Sequence, residues 1–373
     1  MSAHFQGEVA ASLPPIEDMG AQPIAAPRGQ ILAHDGLALT PWSEGRALWR
    51  LALTRFPGAD FYHCERWIEV LRDAYHFTFE VATLHRAGEL RAAAVLARSK
   101  RFFTTRLIAL PFSDCAAPLA FDDAARADLL RALASPHSAA SMEVRGVAGP
   151  EPWQNVDCFG HWTLDLARPL TEIKAGFGRT VRIGIKRAVR DKVAIECGTD
   201  QAYLQRYFKL QLITRRRLGV PPQPFKFFQT VHEKFSRTGD IEIWFATHSG
   251  RDQAGLILLK SGDQLCYKWG ARLEDGHPGA NHLLVASMLE AHAGKAGIID
   301  FGRCDNRNAG LVRSKVDVGC VAHPLPYAFF PSAPRHISPE VLRGPARMVS
   351  SIWKRLPLPV TRVLGAVLYR YMA

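Results

Sequence analysis

The sequence predicts an α/β protein of the α+β kind, made of two similarly ordered halves. Three observations predict it. A chain of 373 residues exceeds the length at which one hydrophobic core usually stops growing. Apolar alternation marks a hairpin in each half, preceded by segments of helical spacing. Phe79 to Gly88 also sits beside Ile241 to Gly250, and Arg91 to Leu96 beside Gln253 to Leu258, both at an offset near 160 residues. Each half thus reads helices, hairpin, strand, helix, strand.

Residues 1–36 are rich in Pro, Ala and Gly without steady periodicity and read as a flexible leader. The first domain is expected over 37–155. Trp42 to Leu53 and Phe61 to Tyr75 have helical spacing, with Trp67, Ile68, Leu71 and Tyr75 on one core stripe. Phe79 to Lys100 reads as two strands turning at Ala87-Gly88. A strand from Leu107 ends at Pro111, a helix runs from Phe121 to Ala134, and Met142 to Val144 closes the half as a strand.

The second domain is expected over 156–334 and opens with a strand, His161 to Leu166. Arg179 to Lys192 follows as a helix, with Arg179, Arg182, Lys186 and Arg190 on a basic face and Val181, Ile185 and Val189 on another. Without an acid before Asp191, like charges repel along that face unless an anion offsets them. Gln201 to Leu218 is a helix ended by Gly219 and Pro221, with Arg215, Arg216 and Arg217 in a last turn that favours cations. Phe225 to Phe235 is another helix with an aromatic core stripe. Gly255 to Leu259 is a strand covered on both faces, and Leu265 to Ala271 alternates as the next, with Lys268 facing either a cleft or solvent. Asn281 is expected to cap a helix through about Ala293, and Ile298 to Phe301 is a buried strand.

Charge is unevenly placed. Residues 1–160 hold 15 Lys and Arg against 18 Asp and Glu, whereas residues 161–373 hold 32 against 17. The basic second half suits RNA, a phosphorylated cofactor or an anionic membrane surface, and charge alone does not choose. Seven dispersed cysteines without a Cys-x-x-Cys pair read as reduced thiols, and a cytoplasmic protein is expected. Glu8, Glu17 and Asp18 fall where an ordinary signal peptide is apolar, and no stretch reaches the roughly 18 to 20 apolar residues that span a bilayer. Residues 335–373 form a basic amphipathic tail broken by Pro357 and Pro359, suited either to docking on the protein or, over 343–373, to peripheral contact with an anionic inner membrane.

Polar groups gather after the strand at Ile298. Asp300, Arg303 and Lys315 follow it within one dense stretch, an arrangement in which a sheet fixes positions and a loop supplies reach. A fixed ammonium at Lys315 would stabilise the oxyanion formed when an amine attacks a carbonyl. Asp300 would be held by a partner, an Asp300–Arg303 pair being the structural alternative. Gly276 and Gly279 offer amides before the helix at Asn281, a local order that receives anions, although Glu274 and Asp275 oppose a pyrophosphate. No nucleophile–histidine–acid set and no metal-ligand spacing is visible, so no metal is expected.

These residues resemble the FemAB-like branch of the GNAT acyltransferase superfamily, also described as BioF-like acetyltransferases. The resemblance rests on Lys186-Arg-Ala, Thr214-Arg-Arg-Arg-Leu-Gly-Val-Pro, Tyr267-Lys-Trp-Gly, Asn281-His-Leu-Leu, Ile299-Asp-Phe-Gly-Arg and Gly310-Leu to Lys315, with Leu110-Pro-Phe-Ser-Asp and Met142-Glu-Val-Arg in the first half. It implies two tandem GNAT-like domains, each a mixed, mostly antiparallel sheet flanked by helices. It also implies an N-acyltransferase that moves an acyl group from acyl-CoA, or an aminoacyl group from aminoacyl-tRNA, to an amine on a small molecule, glycan or lipid-linked acceptor in envelope or exopolysaccharide synthesis. Arg179, Arg182, Lys186, Arg190, Arg216, Lys268, Gly276, Gly279 and Asn281 are the expected binding residues, and Lys315, Asp300 and Arg303 the catalytic ones. Lys315 matches the lysine of the family's Phe-Lys pair, with Ser314 where the Phe is usual. The competing class is a degenerate, non-catalytic GNAT pair that binds RNA or serves assembly.

Overall fold

In the computed structural model, residues 35–101, 104–134, 141–334 and 345–369 are described. The leader expected over 1–36 therefore lies almost wholly outside the described residues. The first half runs β1 (Gly36–Pro41), α1 (Trp42–Arg55), a 3-10 turn (Phe61–His63), α2 (Glu65–Tyr75), β2 (Thr78–Arg86), β3 (Glu89–Arg101), β4 (Thr104–Ala109), β5 (Leu119–Ala120), α3 (Asp123–Leu133) and β6 (Ser141–Arg145). The second runs β7 (Gln154–Val156), β8 (Phe159–Asp165), α4 (Leu170–Ala175), α5 (Arg179–Arg190), β9 (Ala194–Gly198), α6 (Gln201–Leu218), α7 (Phe225–Ser236) and β10 (Ile241–His248). It continues through β11 (Arg251–Ser261), β12 (Gln264–Arg272), α8 (Ala280–His292), β13 (Ile298–Asp305), α9 (Ala309–Val318), β14 (Val321–Pro324) and β15 (Tyr327–Phe330), and ends in α10 (Pro345–Arg355) and α11 (Leu358–Leu368).

These strands form two sheets, ordered β1-β2-β3-β4-β6-β15-β7 and, read in the matching direction, β9-β10-β11-β12-β13-β8-β14. The repeat foreseen in the sequence extends to the turns: Ala87 and Gly88 have φ of 52° and 73°, Ser249 and Gly250 of 52° and 71°. Among the described residues one pair in each sheet is parallel, β4 with β6 and β12 with β13. The sixth strands are exchanged. β8, which follows the first half, pairs with β13 of the second sheet, and β15, which follows the second half, pairs with β6 of the first.

The halves share one aromatic core. Trp67 of α2 meets Phe227 of α7 and Trp269 of β12 at ring separations of 6.1 and 6.4 Å, and Phe61 stacks on Phe235 at 5.8 Å. A second core lies between α5, α8 and the other face of the second sheet.

Several helices differ in detail from expectation. α5 buries Val181, Gly184 and Ala188, while Val189 is 60% exposed. Steps of four residues drift about 40° per step round a helix, which carries Val189 out of the interface. Asn281 is not the cap of α8. Gly279 holds that place, no side chain caps the helix, and Asn281 is its second residue. α9, foreseen only as loop, begins at Asn308, whose side chain accepts from the Leu311 amide at 3.1 Å.

α10 and α11 dock on α6. Trp353 is buried, Gly365 lies against Pro222, and Tyr369 stacks on Phe112 at 5.0 Å. No helix among the described residues is long and apolar enough to cross a membrane.

Candidate active site

β12 and β13 pair only where Gln264, Leu265 and Cys266 face Ile298, Ile299 and Asp300. Beyond these pairs the strands part. β13 shifts register against β8 between Asp300 and Arg303, Gly302 takes a φ of 73° there, and a bulge of this kind bends its strand. A slot of about 230 Å³ opens between the parted strands, walled by Val181 of α5, Asn281 and Val285 of α8, and Leu311 and Ser314 of α9. Lys268, Arg303, Lys315 and Asp114 supply its charged groups.

Lys315 holds the bulge. It is only 7% exposed, and its Nζ donates to the Phe301 and Gly302 carbonyls at 2.7 Å each and reaches the Arg303 carbonyl at 3.4 Å. The ammonium thus satisfies carbonyls that the interrupted ladder leaves free. Burial pushes Lys315 below the ordinary lysine value, and the Asp114 carboxylate opposes that shift.

Asp114 comes from the first half, at the end of a loop in which Leu110 and Phe112 take φ of 44° and 59°. The Tyr62 hydroxyl donates to its Oδ2 at 2.8 Å, and Lys268 Nζ lies 3.8 Å from the same oxygen. Lys268 also donates to the Tyr62 hydroxyl and the Phe112 carbonyl, both at 3.1 Å, and lies over the Tyr62 and Trp67 rings at 4.4 and 4.9 Å. Of the two orientations open to Lys268, the cleft is therefore the one adopted. Burial alone would raise the Asp114 carboxyl, but Lys268 and Arg303, joined by the Tyr62 hydrogen bond, hold it well below the usual carboxylate range.

Asp300 and Arg303 are not a pair. Asp300 is bonded to His161 Nε2 at 2.8 Å and accepts from the Gly302 amide at 2.5 Å. Burial disfavours the charged imidazole, yet the Asp300 carboxylate outweighs it and raises His161 above its ordinary value. Arg303 points the other way on the bulged strand, donates to the Tyr327 hydroxyl at 2.8 Å and lies over the Phe159 ring at 4.6 Å. Its counterpart in the first sheet, Arg145, bonds Glu143 at 2.6 Å and the Ser113 carbonyl at 2.6 Å, so it clamps the loop that carries Asp114.

The other residues expected to bind substrate are dispersed. Arg179, Arg182 and Lys186 are exposed on α5 and outside the slot, and Arg190 bonds Asp191 at 2.8 Å. Arg216 is half-buried in the last turn of α6 and does not line the slot. The Gly279 amide is not open to an anion, since it donates to His277 Nδ1 at 3.1 Å. Gly279 instead lets α5 approach, because a Cβ there would overlap the Gly184 carbonyl. Gly276 rests against Gln253. Lys268, Asn281, Arg303 and Lys315 are thus brought together, and Tyr62, Asp114 and His161 join them unforeseen. Only Asp114 had a sequence signal, as the end of Leu110-Pro-Phe-Ser-Asp. Among the described residues no cluster of His, Cys, Asp and Glu is arranged to hold a metal ion.

The fold is thus two mixed sheets of matching strand order, the second splayed beside the first turn of α8. Residues 176–308 match the family model of the acetyltransferase (GNAT) domain. Among solved structures the chain is similar to FemX, at 15% identity and a TM-score of 0.59 over 75% of this chain and 94% of that one. It is also similar to a conserved protein of unknown function from Bacteroides thetaiotaomicron VPI-5482, at 12% identity and a TM-score of 0.51 over 76% and 96% of the two chains. No curated protein matches the chain in sequence.

Proposed function

We propose that the protein is an N-acyltransferase whose donor enters the slot between β12 and β13 and whose amine acceptor meets it at Asp114. The observation that carries this reading is the parting of these strands beyond Cys266 and Asp300. Beyond Cys266 the edge of β12 that faces β13 has no partner strand and can pair with an extended donor chain, and the first turn of α8, where Asn281 lines the slot, favours a donor phosphate. A slot of about 230 Å³ holds an acyl or aminoacyl group and the adjoining chain rather than a whole donor. The basic face of Arg179, Arg182 and Lys186 on neighbouring α5 suits the remaining phosphates, whether of acyl-CoA or of aminoacyl-tRNA.

In this reading Asp114 draws in the acceptor as an ammonium. A carboxylate held so firmly ionised takes a proton poorly, so the amine loses its proton to solvent before attack. The neutral amine then adds to the donor carbonyl, the surplus proton on its nitrogen passes through solvent to the leaving sulfur or oxygen, and collapse of the tetrahedral oxyanion breaks the bond to that atom and expels the donor thiol or tRNA hydroxyl. Lys315 fixes the bulge and places its positive charge beside that oxyanion. Its hydrogens are engaged with three carbonyls, so it acts through its field and through the backbone it holds. The acceptor is an amine on a small molecule, glycan or lipid-linked precursor.

Equilibrium binding of acetyl-CoA and of aminoacyl-tRNA tests the donor site. The wild type should bind one of them, and Ser314→Trp, which fills the slot from an exposed position, should weaken that binding at least about tenfold with unchanged circular dichroism. Failure to bind either donor would leave the non-catalytic module as the better account. A Lys315→Ala variant that transfers at the full rate would remove Lys315 from the mechanism.

A further inference from the structure

The last helix is docked by one face and left bare on another. α11 buries Thr361 and Gly365 against the body, with Gly365 seated on Pro222. Away from that contact it presents Val360, Val363, Leu364 and Val367, which are 40%, 63%, 39% and 59% exposed. Positions i, i+3, i+4 and i+7 are the spacing of a helix face that is normally covered. On α10, Ile352 is likewise 55% exposed beside the buried Trp353. Scattered surface aliphatics need no explanation, but an unbroken aliphatic helix face does.

The charges round this face select its occupant. Lys354 and Arg355 are exposed on α10, whereas Arg362 turns to the docked side, its guanidinium over the Phe208 ring of α6 at 5.9 Å. Residues 341–373 contain six Lys and Arg and no Asp or Glu. A second copy of the chain would bring the same positive charge against itself. The aliphatic face also offers no polar group through which a protein partner could be oriented. An anionic lipid surface accepts both features, since it takes up aliphatic side chains at the acyl boundary and attracts the flanking cations.

We propose that the outer face of α10 and α11 is a peripheral binding site for anionic phospholipid, with α11 lying in the plane of the membrane on Val360, Val363, Leu364 and Val367. The inner face stays docked on α6 at the same time, so binding needs no unfolding of the tail. The inference stands independently of acyl transfer.

The test is flotation of the full chain with vesicles of phosphatidylcholine alone and of phosphatidylcholine mixed with phosphatidylglycerol. The wild type should float with the mixed vesicles and be released by salt. The double variant Val363→Glu and Val367→Glu should lose at least about tenfold of its partitioning, and Arg355→Glu should lose less. Val363 and Val367 are exposed, so the thermal midpoint should hold; if it does not, Val363→Gln with Val367→Gln serves in place of the double variant. Absence of flotation by the wild type, or equal flotation of wild type and double variant, would overturn the proposal. So would light scattering that shows a dimer lost in the double variant, since a second copy would then cover the face.

Discussion

Asp114 sits where the two halves meet, and its neighbours make its removal costly. Lys268 has a side chain only 6% exposed, and without the carboxylate its ammonium keeps a hydroxyl and a carbonyl but no counter-charge. Asp114→Ala should lower stability by about 3 kcal/mol, the scale of a broken buried pair, as read by urea unfolding. Adding Lys268→Met to that variant should restore part of the loss, and a further additive loss would show that the two groups are uncoupled. His161 offers a pH signature. Its folded value is raised by Asp300, so the stabilisation is full below the ordinary imidazole value of about 6.5 and fades as pH rises through the folded one. The stability gap between wild type and His161→Gln should therefore shrink as pH rises above about 6.5; a constant gap would rule out a charged imidazole as its source. Neither group was conspicuous in the sequence. Asp114 lies 154 positions before Lys268, and only the joining of two sheets brings them together.

Two close approaches shape the elements around the slot. Gly302 combines a φ of 73° with a position where a Cβ would lie 2.7 Å from Asp114 Oδ2. Gly302→Ala should cost about 2 kcal/mol and weaken donor binding together with stability, whereas retention of both would show that the bulge is not needed. Gly279→Ala should push α5 from α8 against the Gly184 carbonyl, at about 2 to 3 kcal/mol, measurable as a lower thermal midpoint. Elements with strong apolar periods, such as α2, α6 and α7, were legible because their stripes are what they bury. α9 was not, since its buried residues are Lys315 and Val318 and a lysine gives no apolar signal. The inner face of α5 was misread for a related reason: it is built on Gly184 and Ala188, which hydrophobic patterning undervalues. β7, β14 and β15 are three or four residues long, too short for alternation to register.

At the scale of the molecule, the repeat was legible and the exchange of sixth strands was not. Element order is local, whereas a strand's choice of sheet is settled by partners far along the chain. The expected boundary near residue 155 follows composition, yet β15 at Tyr327–Phe330 lies between β6 and β7 in the first sheet. A fragment of residues 35–157 should therefore lack a cooperative thermal transition by circular dichroism, and a sharp one would show that β15 is dispensable. The same cross-connection sets an order of events during synthesis. The first sheet is finished only when Phe330 has cleared the ribosome, so until then the edge of β6 stays open beside Glu143 and Arg145. Inward charges on an open edge disfavour wrong strand pairing, so the pair that clamps the loop beneath Asp114 in the finished fold would also oppose mispairing of the growing chain.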